Sequence, residues 1–404
     1  MLELSASPFL PAAPVAVELV QPRKLLALQS SGMRLAGGEV SVGLLTSFVL
    51  MTLLCGAGVV GICVLGWLLF RRRRGVTALE FSEQDIDNIL NNLRDNNVIG
   101  SSATGELLYR VTIQDSGGSG RSRTVTVKKL ENEIGTVDAD LESRCQSEVN
   151  KLGVIRHDNI IRLVYYCIRR DSMILLLYEH MENGSLDEWL PHQAPEAGWR
   201  RRPPLGWPAR RAIAIGVARG LCHLHHGCNM PIVHRSIKPS NILLDGDLKA
   251  KIAGFDLAQI NPGLNQPLPN SELPAGVLGY TAPEYATMPS EVDEKVDVYS
   301  FGVVLLELVT GRLANGPGAD GHLATWAQKH HNKLMSGEHV EFRNAVDMDI
   351  PDRARHLKQM AAVFKLGVDC TVTDPRERPS MRTVLARLRS SGLLRGLGQC
   401  VSVS

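Results

Sequence analysis

From Gly43 to Phe70 the chain carries no charged side chain. At 1.5 Å of rise per residue these 28 residues would make a helix of about 42 Å, longer than the roughly 30 Å hydrocarbon core of a bilayer. Lipid offers no hydrogen bonds, so the expected form is a single transmembrane helix over residues 43–70, which satisfies its backbone within itself. A buried helix of this length in a soluble core ordinarily shows a polar stripe, and this run has none. Arg71, Arg72, Arg73 and Arg74 follow at once, as on the cytoplasmic side of a span. Arg23, Lys24 and Arg34 lie near the other end, but the contiguous arginines favour an N-terminus outside. Ala57 and Gly61 form a small-residue pair of the kind that lets two membrane helices approach.

The span divides the rest. Residues 1–42 hold Pro8, Pro11 and Pro14 and are too few to bury a core, so a disordered extracellular stub is expected. Residues 71–97 form a juxtamembrane segment in which Ile86, Ile89, Leu90 and Leu93 recur at helical spacing. Residues 98–392 remain for one large domain, with a tail over 393–404. An apolar fraction of 44% suffices for that core. Forty-four basic against 42 acidic residues leave a formal charge of +2, which gives no electrostatic footprint for a nucleic acid. None of the eight cysteines precedes residue 55, so nothing in the chain calls for an oxidising compartment. His223, His225, His226 and Cys228 cluster without a second ligand pair at zinc spacing.

From Val98 onward the order of the motifs becomes the informative feature. Val98 to Gly105 is a strand-like start followed by a loop with glycines at its two ends and Ser102 in its middle. Val125-Thr126-Val127-Lys128 follows, then Glu148, then the apolar run Leu175-Leu176-Leu177-Tyr178 entering Glu179-His180-Met181. The second half contains His234-Arg235-Ser236-Ile237-Lys238-Pro239-Ser240-Asn241, Gly254-Phe255-Asp256, Ala282-Pro283-Glu284, Asp297-Val298-Tyr299-Ser300-Phe301-Gly302 and Arg378-Pro379. In this order, over roughly residues 80 to 390, the chain resembles the plant receptor-like protein kinase family, and most closely its leucine-rich-repeat receptor branch. It departs from that branch in lacking a leucine pattern of 20–30 residues before the span.

The resemblance implies an α+β, two-lobed protein-kinase fold, with a small β-rich lobe near 98–181 and a mainly helical lobe near 182–392. It implies ATP as the nucleotide, with Gly100 and Gly105 over its phosphates, Lys128 on the phosphates and Glu148 holding Lys128. Glu179 and Met181 would be the hinge. Asn241 would be a magnesium ligand, Lys238 would neutralise the transferring phosphoryl, Glu284 would pair with Arg378, and Asp297 would anchor the catalytic loop. Leu152, Leu163, His234 and Phe255 match the apolar column that joins the lobes.

Against that pattern, Ser236 replaces the catalytic aspartate, which would accept the substrate proton, and Gly254 replaces the metal-binding carboxylate. Asp256 lies two residues past the place where that carboxylate belongs, making it a displaced candidate ligand. Ser102, Thr126 and Val277 are further departures. A positioned base contributes about 10²- to 10⁴-fold and a metal ion several kcal/mol, so the expected protein is a pseudokinase. It would sit in the plasma membrane and act in signalling as a scaffold or allosteric partner of an active receptor kinase or its substrates. Metal-independent nucleotide binding is favoured over Mg2+-dependent binding. The alternatives are a weak ATP-dependent serine/threonine kinase using Asp256, roughly 6–7 Å away along extended chain, and a truncated copy without a role.

Overall fold

Leu107 to Gln114 alternates buried Tyr109, Val111 and Ile113 with exposed Arg110, Thr112 and Gln114, the period of a strand with one face on a core. In the computed structural model this segment is the second strand of a five-stranded antiparallel sheet, with order β1-β2-β3-β5-β4. The strands are β1 (Val98–Ser101), β2 (Leu107–Gln114), β3 (Ser122–Leu130), β4 (Leu163–Arg169) and β5 (Met173–Glu179). The structure describes residues 81–391 except 103, 115–121, 133–136, 170–172, 191–201, 261–278, 288–292, 317–320 and 337–339. The apolar run 43–70, the stub before it and Val277 lie outside the described residues. Among the described residues no helix is long and apolar enough to cross a membrane.

Helix α1 (Glu83–Asn91) forms where the spacing of Ile86, Ile89 and Leu90 predicts a helix. Ser82 and Asp85 close a capping box: Asp85 N donates to Ser82 Oγ at 3.1 Å, and Ser82 N donates to Asp85 Oδ2 at 2.9 Å. Its Ile86 and Ile89 join Val111, Ile113, Val125 and Val127 in one apolar cluster, so the helix covers the outer face of the sheet. Because successive strand residues point to opposite faces, Val125 and Val127 facing α1 put Thr126 and Lys128 on the inner face. Helix α2 (Ala139–Val154) lies between β3 and β4 in sequence and is started by Asp138, whose side chain accepts from Leu141 N at 2.9 Å.

The second lobe is helical. Its principal members are α3 (Trp207–His226), α5 (Lys295–Thr310), α8 (Arg353–Cys370) and α9 (Met381–Ser390), with α4 (Pro283–Thr287), α6 (Leu323–Ser336) and α7 (Val340–Ala345) around them. Two short two-stranded ladders, β6 (Ile232–Val233) with β9 (Gln259–Ile260) and β7 (Ile242–Leu244) with β8 (Ala250–Ile252), carry the motif-bearing loops. From Val296 onward α5 is buried all round, the pattern of a helix through the middle of a core. It crosses α8 closely, and Gly302 and Gly367 are what allow this. A Cβ at Gly302 would stand 2.6 Å from Cys370 Cβ, and one at Gly367 would stand 2.9 Å from Leu306. Arg378, 2% exposed, donates to Glu284 Oε2 at 2.8 Å and to the carbonyls of Val372, Lys295 and Thr373. The guanidinium thus has no unmet donor direction that would penalise its burial.

Ile89 is fully buried between α1 and the sheet. Ile89→Ala is expected to destabilise the small lobe by about 2–5 kcal/mol, through lost transfer energy and the cavity left behind. Urea unfolding followed by amide exchange in β2 and β3 tests this. A loss below about 0.5 kcal/mol would mean that α1 adds nothing to the lobe.

Candidate functional site

Lys128 sits on the inner face of β3, opposite Leu176 of β5 and Leu108 of β2, and is 3% exposed. Its ammonium meets Glu148 Oε2 of α2 at 3.1 Å. Tyr178, at the end of β5, donates its hydroxyl to the other oxygen of Glu148 at 2.5 Å, so both carboxylate oxygens are held. Two further carboxylates reach the same ammonium. Asp256 makes a close ion pair with it, and Glu106 Oε2 stands 3.8 Å away. Burial alone would lower the Lys128 pKa, but Glu148, Asp256 and Glu106 outweigh it and hold the group protonated well above its ordinary value. Burial likewise works against ionised Glu106. Lys128, the hydroxyls of Ser102 and Thr104, and Arg144 of α2 overcome it and bring the carboxyl down to about 2.

The second cluster is built on Asp297, fully buried near the start of α5. Its oxygens accept from His234 N at 2.8 Å, Arg235 N at 2.7 Å and the His225 ring at 2.9 Å. Arg235 has φ +64°, a conformation that costs free energy for a residue with a side chain and persists where the surroundings impose it. Asp297, gripping the amides of His234 and Arg235, is that imposition. His234 stacks edge-on to Phe255 with ring centroids 4.7 Å apart. Leu152 and Phe255 share the main core cluster, with Leu163 packed against it.

Ser236 is buried, and Asn241 closes over it. Asn241 Nδ2 donates to the Ser236 carbonyl at 2.8 Å and to its Oγ at 2.9 Å. On its other side Asn241 meets Gly254, which has φ +79°. A Cβ there would lie 2.6–2.7 Å from Asn241 Cγ, Oδ1 and Nδ2. The two departures from the family pattern, at 236 and 254, therefore touch through a single side chain. Asp256 turns the other way, to Lys128, and brings no oxygen to a site beside Asn241 that Gly254 could complete. A hard cation requires several converging oxygens. Here one neutral amide oxygen is left where a carboxylate is needed, and among the described residues no group of three or more His, Cys, Asp or Glu could hold a metal. The arrangement does not fit Mg2+. Lys238 is half-buried, and burial lowers its pKa against the pull of Asp187 and Asp256.

The hinge residues are placed less uniformly. Met181 is buried in the core, and its carbonyl accepts from Gly184 N at 3.2 Å. The Glu179 side chain faces away from the Lys128 group, accepting from Arg162 N and Lys251 Nζ, both at 2.8 Å. Thr126 and His180 share a hydrogen bond of 3.0 Å across the inner face. Gly100 pairs with Leu108 in the β1–β2 ladder, and Gly105, at φ +92°, turns the loop back into β2. The structure thus gathers Lys128, Glu148 and Asp256 in one cluster and Ser236 and Asn241 in another. Motif reading missed Glu106, Arg144 and Tyr178. The one available signal was an acidic residue directly after Gly105, in a loop of the type that receives phosphate.

His234 is fully buried, and burial pulls its pKa from 6.5 to about 4 despite the neighbouring Asp297 and the carbonyl of Ala253. The unfolded chain takes up a proton between those values and the native state resists it, so stability falls as pH drops from about 6.5 to about 4. The expected loss is on the order of 2–3 kcal/mol. Urea unfolding across that range, with ring NMR on His234, checks this; an imidazole titrating near 6.5 would contradict it.

Comparison with known proteins agrees with this architecture. The family model described as "Protein kinase domain" matches residues 96–388. The chain is similar to three proteins of Arabidopsis thaliana: the MDIS1-interacting receptor like kinase 1 (36% identity), a probable leucine-rich repeat receptor-like protein kinase (39%) and the leucine-rich repeat receptor-like protein kinase TDR (36%). These alignments cover 77–78% of this chain but only 26–28% of the relatives. With the family pattern running through both lobes, from the phosphate loop to the last helices, the chain belongs to the protein kinase domain family.

Proposed function

We propose that this chain is a membrane-anchored receptor-like kinase homologue whose kinase-type domain acts by binding and not by phosphoryl transfer. It would be a pseudokinase, docking on an active receptor kinase or on one of its substrates at the plasma membrane and biasing that partner's conformation. The observation that carries this reading is the pairing of the cleft's displaced Asp256 with Lys128, beside a Gly254 that has no carboxylate to offer. Ser236 cannot replace an aspartate as proton acceptor, because its hydroxyl is engaged by Asn241 and, among the described residues, no base stands in hydrogen-bond contact with it. A ligand of the ATP class, read through its purine nucleoside part, is the small molecule the cleft would take, without a metal ion. The transmembrane span over 43–70, with the N-terminus outside and the kinase-type domain in the cytoplasm, belongs to the same reading and rests on the uncharged run and the arginines after it.

The Lys128–Glu148 pair and the His234–Phe255 stacking favour a second reading, a weak serine/threonine kinase. Labelled-phosphate transfer by the full chain in detergent separates the two. The comparison is wild type, Lys128→Met, and a variant combining Ser236→Asp, Gly254→Asp and Asp256→Gly. Incorporation by wild type at the level of Lys128→Met is the expected outcome; incorporation clearly above it would establish the enzyme. In the combined variant, the side chain introduced at position 254 meets that of Asn241, so Gly254→Asp is expected to cost stability of about 1–3 kcal/mol, visible as a lowered melting temperature.

A further inference from the structure

In the family pattern a lysine at this place holds one carboxylate and turns its remaining face to nucleotide phosphate. Here Lys128 is surrounded by three carboxylates, and one of them, Glu106, comes from the phosphate loop. Its side chain is 7% exposed and lies within ion-pairing distance of both Lys128 and the Arg144 guanidinium. It accepts from the hydroxyls of Ser102 and Thr104, and Thr104 Oγ1 stands 3.5 Å from Asp256 Oδ1. The loop's backbone donors turn inward as well. Ser102 N donates to the Glu106 carbonyl at 2.8 Å, Gly105 N to the Ser102 carbonyl at 3.1 Å, and Thr104 N to Ser102 Oγ at 3.2 Å. Among the described residues of the loop, the groups that would receive phosphate oxygens are thus occupied by the protein itself.

The charges decide what such a cleft can hold. Lys128 and Arg144 stand among three carboxylates, Glu106, Glu148 and Asp256, and the charges of Lys151 and Lys238 act on the same carboxylates, so these are already matched by protein cations before any ligand arrives. Among the described residues no metal-binding set is present to offset a polyphosphate. We propose that Glu106 is a specificity-determining residue that fills the phosphate position with the loop's own carboxylate, so that the cleft takes an uncharged purine nucleoside in preference to its phosphorylated forms. This rests on the reading of the cleft as a nucleotide-type site and goes further by naming the ligand class. A phosphorylated ligand must expel Glu106 from between Lys128 and Arg144, which a nucleoside need not do.

The test is calorimetry on the full chain in detergent with EDTA present, titrating adenosine and ADP into wild type, Glu106→Gln and Arg144→Gln. Wild type should bind adenosine at least about tenfold more tightly than ADP. Glu106→Gln removes the charge and keeps the shape. It should tighten ADP by roughly ten- to a hundredfold while adenosine stays within about twofold. Arg144→Gln removes the cation paired with Glu106 and should weaken ADP further. In ligand-free protein, amide exchange over residues 100–106 should speed up in Glu106→Gln, because the loop loses its hold on Lys128. Tighter binding of ADP than adenosine by wild type, or a ratio unmoved by Glu106→Gln, overturns the assignment and leaves nucleotide binding standing. Failure of both ligands to bind any of the three proteins overturns the nucleotide reading, and the preference falls with it.

Discussion

An ammonium ion removed from water must find its counter-charge nearby, and Lys128 imposes that condition on the whole inner face of the small lobe. In the kinase pattern, one glutamate and the bound nucleotide meet it together. In this chain it is met without ligand. Glu148 reaches in from α2, Asp256 from the turn after Phe255, and Glu106 from the loop above. Three segments far apart in sequence are thereby tied to one nitrogen, and the displacement of the aspartate from 254 to 256 acquires a physical role. An aspartate at 256 serves the lysine, where one at 254 would have served a metal. Tyr178 locks the arrangement from below by holding Glu148 through its second oxygen.

The helical lobe follows a different logic, which explains why it tolerates the changes at its active face. Asp297 is required for geometry: it alone receives the two amides that force Arg235 into its left-handed conformation. Residues 236 and 254 have no such structural duty. Small residues at both let Asn241 settle between them, donating to Ser236 and filling the space a Cβ at 254 would need. The pair therefore reads as one change made at two positions. An aspartate at 254 and the present position of Asn241 exclude each other sterically, whereas the core beneath, from α5 to α8, senses neither.

Much of this was legible in the sequence, for identifiable reasons. Helix α1 was visible because Ile86 and Ile89 recur at helical spacing. The pairing of Lys128 with Glu148, the bridge from Glu284 to Arg378 and the anchoring by Asp297 are what the resemblance to receptor-like kinases implies, and the structure brings these residues together. Glu106 escaped because its importance depends on where the loop's backbone turns, and one residue after a glycine says little about direction. Tyr178 escaped for a related reason, since in a strand with both faces buried no alternation marks the side chain that points to the cleft. The expectation that Asp256 could swing toward a metal treated it as free to move, but the competing attraction of Lys128 lies in a contact 128 residues away.

The two clusters also bear on each other through charge. Asn241 is the kind of neutral donor that assists a metal already held by an acid. With Gly254 in that acid's place, the carboxylates near Lys128 are offset by protein cations, and Arg144, beside Lys151 and Lys238, takes up part of this role. It sits on the same helix as Glu148, one turn before it, and reaches the loop through Glu106. The loop that elsewhere stays open for phosphate is thereby joined to α2 by an ion pair. Under the proposed reading, the missing metal ligand and the occupied phosphate position follow from one redistribution of charge, centred on a lysine that has kept its place.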